Sequence, residues 1–141
     1  MRDSAKMDFY HEKLEGLKVR KKLRIRGYNE YDKKNIVFLE IKRKYENFIG
    51  KNRSALKYHD LSDLLKSGEV EEFVLTENGF SKSIEDGERF LHHMNKMLLK
   101  PMVLIVYDRE AFFGKFNNAL RITFDKNLRY HGFPKLMIQN F

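Results

Sequence analysis

At 141 residues the chain fits one domain with room for a core, and its 42% hydrophobic and 13% aromatic content sets it apart from disordered chains, which bury too little apolar surface to offset the entropy of ordering. The absence of cysteine excludes disulfides, thiolate catalysis and Cys-based zinc or iron–sulfur sites. A formal net charge of +8 draws anionic partners before any specific contact forms.

The opening stretch MRDSAKMDFYHEKLEG is charged and helix-like, with no apolar run of signal-peptide length. No segment reaches the roughly 20 apolar residues of a membrane helix, so no membrane segment is expected, and a cytoplasmic address with any membrane association supplied by partners. In KKLRIRGY the residue types alternate: Lys22, Arg24, Arg26 and Tyr28 fall on one face of a strand, Leu23 and Ile25 on the other. A polar turn with Asn29, Glu30, Asp32, Lys33, Lys34 and Asn35 leads into IVFLEIKRKY, where Phe38, Glu40, Lys42 and Lys44 oppose Val37, Leu39 and Ile41. The two strands predict an antiparallel hairpin that projects its cations to one side, with Lys51 and Arg53 close behind.

A helical insertion is predicted over about 54–100. ALKYHDLSDLLKSG has apolar spacings of three and four and a stop at Gly68. A second helix is expected from Ile84 to Leu99, capped near Ser83, with Phe90, Leu91, Met94, Met97 and Leu98 as its buried stripe and Pro101 ending it. MVLIVYDRE reads as a buried strand that carries Arg109 at its end, and LRITFD sets Arg121, Thr123 and Asp125 on one face. The chain closes on the apolar run LMIQNF, an ending expected of a fragment of a longer domain.

Side chains on one face of a strand recur about every 6.8 Å, so lysines and arginines at that spacing form a ladder for a phosphate polyanion. Arginine offers a planar fork to two phosphate oxygens and lysine a compact point charge. Glu40 among the lysines suits a metal or a positioned ammonium. His92 and His93 are adjacent and cannot share a helix face, and His11, His59 and His131 are scattered without triad partners. With no glycine-rich phosphate loop, any nucleotide must be held by side chains.

The blocks FYHEKLEGLKVRKKLRIRGY, VFLEIKRKY, GKNRSAL, PMVLIVYDREAF and LRITFD, in this order, resemble the VTC (vacuolar transporter chaperone) domain of polyphosphate polymerases, a family of the triphosphate tunnel metalloenzymes. The resemblance implies an α+β fold: an antiparallel β-barrel tunnel of the CYTH-like type with a helical insertion, here a single partial domain over 1–141. It further implies ATP and polyphosphate as partners, Mn²⁺ or Mg²⁺ as cofactor, and transfer of the γ-phosphoryl group of ATP to polyphosphate. Positions matching the tunnel motifs are Arg24 and Arg26 in LRIRGY, Lys42 in EIK, Lys51 in GKNR, Arg109 in YDREAF and Arg121 in LRITFD. Of these, Arg24, Arg26, Lys42, Arg109 and Arg121 are the expected catalytic set. Lys51 joins Lys22, Lys44 and Arg53 as expected substrate contacts, and Glu40 is the candidate metal ligand.

The family places a strand before the first helix, which this chain is expected to lack, and a metal-binding glutamate on a later strand beyond LRITFD. The domain is therefore expected to be incomplete at both ends, with open sheet edges that favour self-association. Two alternatives to a polymerase stand beside it: a non-catalytic polyphosphate or inositol-phosphate binder, and a triphosphatase on the same fold. A specific nucleic-acid role is not expected, because the interleaved exposed aromatics of an RNA-binding sheet are missing.

Overall fold

The computed structural model describes residues 2–28 and 34–132. The expected turn residues Asn29, Glu30, Asp32 and Lys33 and the closing LMIQNF lie outside the described residues.

Alternation decides the architecture. In β2 (Val19–Gly27) and β3 (Ile36–Tyr45) apolar and charged residues alternate, and the strands pair antiparallel from Val19 opposite Tyr45 to Gly27 opposite Val37. β4 (Phe48–Lys57) continues the meander, from Tyr45 opposite Phe48 to Ile36 opposite Lys57. β1 (Arg2–Asp3) pairs with β2 and with β5 (Lys100–Pro101), giving a five-stranded sheet of order β4-β3-β2-β1-β5. A two-residue strand thus precedes the first helix, where the sequence shows none.

One face of this sheet is covered by helices. α2 (Leu61–Ser67), α3 (Val70–Phe73) and α4 (Ser83–Lys96) bury Leu61, Leu64, Val70, Phe90, Leu91 and Met94 in one core with Leu23, Val37, Leu39, Ile41 and Leu56 of the sheet. α4 lies so close to β4 and α3 that a Cβ at Gly87 would come within 2.8 Å of Val70 Cγ1 and 3.0 Å of Ser54 Oγ. α1 (Asp8–Leu14) adds Phe9 to the core. The Asp3 carboxylate, almost wholly buried, accepts hydrogen bonds from the backbone N–H groups of Ser4 (2.8 Å), Phe9 (3.0 Å) and Tyr10 (3.1 Å), and so satisfies free donors of the first helical turn.

The helical segment differs from expectation in its bounds. Residues 54–57 belong to β4, and helical structure begins with a 3₁₀ turn at Tyr58–Asp60. Ser83 is not a cap: its hydroxyl accepts from the Ala55 N–H at 2.8 Å and pairs with Ser54 Oγ at 3.1 Å, tying α4 to β4. α4 ends at Lys96, four residues before β5, where Leu98 adopts φ 51° and the Leu99 N–H turns back to the Met94 carbonyl at 2.9 Å. Leu98 consequently points outward, 76% exposed, and Leu99 takes its place in the core. Pro101 sits in β5 opposite Arg2 rather than stopping the helix.

β6 (Val103–Phe113) and β7 (Arg121–Gly132) form a long antiparallel hairpin that is a sheet of its own. β6 was expected to be buried, and it is not: Ile105, Val106, Phe112 and Phe113 are exposed, as are Ile122 opposite Phe112 and Phe124 opposite Glu110. Two strands alone present both faces to solvent, and among the described residues no helix packs on either. The two sheets are antiparallel, as expected, but among the described residues they do not close into a barrel.

Candidate polyanion-binding face

The face of the five-stranded sheet opposite the helices is built by register. Reading across β2, β3 and β4, the same-face residues are Arg20, Lys44 and Ile49, then Lys22, Lys42 and Lys51, then Arg24, Glu40 and Arg53, then Arg26, Phe38 and Ala55. Neighbouring strands are about 4.8 Å apart and successive rows about 6.8 Å apart, so these cations share a compact surface. Lys22, Lys42, Lys44, Arg24 and Arg26 are half-buried, while Lys51 and Arg53 on the outer strand are exposed.

Such crowding has an electrostatic signature. Burial, with Lys13, Arg20 and Arg24 nearby, holds the Lys22 ammonium below the ordinary lysine pKa. Burial likewise lowers Lys42, aided by Arg24 and Lys51 and partly countered by Glu40. Like charges facing one another in a sheet oppose folding unless a counter-charge is present. Glu40 is that counter-charge within the protein: it is buried, and its carboxylate is ion-paired with the Arg24 Nε–H. Its other cross-strand neighbour is Arg53.

At the far end the surface changes from cationic to mixed cation and ring. Arg53 lies 4.3 Å over the Phe38 ring, and Phe38 meets Tyr28 edge-on at 6.0 Å and Phe80 at 6.2 Å. Arg26 sits 5.4 Å from the Tyr28 centroid and donates from Nη2 to the Tyr107 hydroxyl at 2.9 Å, a contact between hairpin and sheet. Burial opposes the Arg26 charge most, but the Tyr107 hydrogen bond and the electrostatic support of Tyr28, Tyr107 and Glu40 together outweigh it and the pKa is raised.

Arg109 is on the hairpin face that bears Tyr107, 5.0 Å from its ring, and donates through Nε and Nη2 to both Asp125 oxygens at 2.7 and 2.9 Å. That hydrogen-bonded pairing raises the Arg109 pKa and lowers that of Asp125. Arg121 is on the same hairpin face but about 13 Å further along β7 than Asp125, with its guanidinium 5.4 Å from the Phe113 ring. Eight of the expected site residues thus share one sheet face, Arg109 reaches it through Tyr107 and Arg26, and Arg121 stands apart.

Arg20, Phe38, Phe80 and Tyr107 were not among the expected site residues. Arg20 continues the alternation of Lys22, Arg24 and Arg26 and was legible on that ground. Phe80 comes from a loop that crosses the edge of β4, held by the Leu75 N–H to Ala55 carbonyl bond at 2.8 Å and turned at Gly79, whose φ of +91° favours glycine.

The donor set does not make a metal site. Among the described residues no three histidine, aspartate or glutamate side chains gather to hold an ion, and Glu40 is engaged by Arg24 and flanked by cations. No helix among the described residues is long and apolar enough to cross a membrane.

Comparison with curated proteins finds no match. Comparison with protein families matches the VTC domain over residues 2–139, nearly the whole chain, and the protein belongs to the VTC domain family.

Proposed function

We propose that this chain is a polyphosphate polymerase-type domain: it holds ATP and polyphosphate on the cationic sheet face, inside a tunnel walled by that sheet and by the Arg109 face of the hairpin. The observation that supports the reading is the register that sets eight lysines and arginines of the motif blocks on one face, within a VTC domain match. In the transfer, a terminal oxygen of the polyphosphate attacks the γ-phosphorus of ATP; the new phosphoanhydride bond forms as the β,γ-bridging bond breaks, and ADP leaves. No protein nucleophile is required, because positioning and charge neutralisation are what phosphoryl transfer chiefly demands.

Arg24, held in place by Glu40, and Arg26, held by Tyr107, are oriented to grip non-bridging oxygens, while Lys22, Lys42 and Lys51 spread charge across three strands. Mn²⁺ or Mg²⁺ enters this reading through the substrate phosphates, since the described side chains build no site for it.

Titration calorimetry with inorganic tripolyphosphate, with and without Mn²⁺, followed by an ATP-to-polyphosphate turnover assay, tests the proposal. Micromolar binding that weakens at least about tenfold in Arg24→Ala or Arg26→Ala is expected, each substitution removing a charge-assisted grip. Binding without turnover would leave a polyphosphate-binding module, and release of free phosphate from ATP would point to a triphosphatase. No binding at moderate salt would overturn the reading.

A further inference from the structure

The outer end of the hairpin is built of residues unlike those of the polyanion face. From Ala111 to Phe124 the sequence AFFGKFNNALRITF carries two cations, Lys115 and Arg121, no acid, and mostly apolar side chains. Phe112 opposite Ile122 and Phe113 opposite Arg121 close the ladder, and the chain turns over at 114–120. Phe116 is 95% exposed at that turn, Phe113 64% and Leu120 55%, with Phe112 and Ile122 half exposed behind them. We infer that this tip docks the domain on an anionic lipid bilayer, its rings entering the headgroup and upper acyl region while Lys115 stays with the lipid anions. The inference goes beyond the polymerase reading and does not depend on it.

The placement of the rings favours lipid over a protein groove. Phe112 and Ile122 lie on one face of the ribbon, Phe113 on the other, and Phe116 at the turn. A groove covers one face of a ribbon, whereas a fluid apolar layer closes round all of them and removes every ring from water. The charges fit the same surface, since an anionic leaflet attracts cations and repels acids. The first acid behind the turn is Glu110, about 10 Å from Phe113 along β6, and both Glu110 and Asp125 are already paired, with Lys126 and Arg109. Lys115 Nζ lies 5.5 Å from the Phe116 ring centroid, so ring and ammonium are presented together, apolar body beside charged head. The turn is ordered as well: the Gly114 N–H donates to the Leu120 carbonyl at 2.8 Å, the Leu120 N–H to the Asn117 carbonyl at 3.0 Å, and the Ala119 N–H to Asn117 Oδ1 at 3.0 Å. A bonded turn that already holds Phe116 outward loses little freedom on docking.

The chain contains no tryptophan, so Phe116→Trp places a single reporter at the tip. Flotation of the full chain with phosphatidylcholine vesicles, with and without about 30% phosphatidylserine, is read together with the emission of that reporter. Binding to the anionic vesicles is expected, with a blue shift of the reporter on adding them and no shift on adding tripolyphosphate. Phe116→Ser is expected to weaken vesicle binding at least about tenfold through lost ring burial, and Lys115→Gln about fivefold through one lost cation. Melting temperature and tripolyphosphate affinity should stay at parent values in both. Vesicle binding with an unshifted reporter, or Phe116→Ser binding as the parent does, would overturn the docking tip and assign the attraction to the sheet lysines. A parent that leaves anionic vesicles unbound would overturn it too, and a blue shift that grows with protein concentration without lipid would give the tip to a second copy of the chain instead.

Discussion

The five-stranded sheet and the two-stranded hairpin use the same alternating sequence pattern and end in different physical states. In the sheet, Leu23, Leu39, Ile41 and Leu56 are almost wholly buried beneath helices, and the charged residues of the same strands form the opposite face. In the hairpin, Phe112, Phe113, Ile122 and Phe124 are each at least half exposed although their strands pair over ten or more residues. Alternation fixes which side chains share a face; burial requires a second layer, and among the described residues only the sheet has one. The sheet is thus the rigid platform for the cations, and the hairpin a wall attached through Arg26 and Tyr107.

Matched truncations give the largest test of that contrast. Phe90→Ala, at a fully buried position of α4, is expected to lower unfolding free energy by about 3–5 kcal/mol in denaturant titration, as large core truncations do. Phe112→Ala, half exposed and touching Phe124 edge-on at 5.9 Å, is expected to lower it by less than about 1 kcal/mol. Comparable losses would mean that the hairpin is buried in solution and that the contrast fails.

Glu40 sharpens the comparison at the next scale down. Its carboxylate is buried with Arg24 and flanked by Arg53, whereas the hairpin's Asp125 forms a geometrically better pair with Arg109 at the exposed surface. Glu40→Gln is expected to destabilise by about 1–2 kcal/mol, since a partly buried cation cluster loses its internal counter-charge, and tripolyphosphate should restore the melting temperature by supplying one. Asp125→Asn is expected to change stability too little to measure, as exposed pairs are screened by water and salt. If anion fails to rescue Glu40→Gln, the carboxylate acts on the fold by some route other than charge balance.

The sequence made β2 and β3 readable because each devotes alternate positions to one kind of residue, and the cationic face followed from that. β4 was not readable as a strand. Its core-facing positions include Asn52 and Ser54, which look unfit for a core until Asp86 and Ser83 of α4 meet them at 2.8 and 3.1 Å. A polar residue satisfied by a partner some thirty positions away leaves no local trace. For the same reason Ser83 looked like a cap and became a tether. Arg109 was expected at a strand end and lies inside β6 instead; that it shares a hairpin face with Arg121, and how far apart the two stand, depends on the pairing of Arg109 with Asp125 and of Phe113 with Arg121, which is a property of register. The rings beside Arg53 were the least legible, because Phe38 and Phe80 meet only through the loop that crosses the edge of β4.

The smallest expected effect is a pH dependence confined to the sheet. Lys22 and Lys42 carry lowered pKa values because burial and neighbouring cations disfavour their charge in the folded state. Between those lowered values and the ordinary lysine value of 10.5, the unfolded chain binds more protons than the folded one. Stability contributed by these two groups therefore rises with pH across that window and is absent below it. Bound polyanion reverses the sign: it favours the charged lysines, raises their pKa values and so takes up protons on binding. Melting curves from about pH 8 to about pH 10 are expected to show a shallow upward contribution that vanishes in the Lys22→Met, Lys42→Met double variant. In the same window, tripolyphosphate affinity should fall as pH rises in the parent and fall less in the double variant. A parent and double variant with parallel pH profiles, with and without tripolyphosphate, would show that the lysine row is too well solvated to sense its neighbours, and the sheet face would then differ from the hairpin in its packing alone.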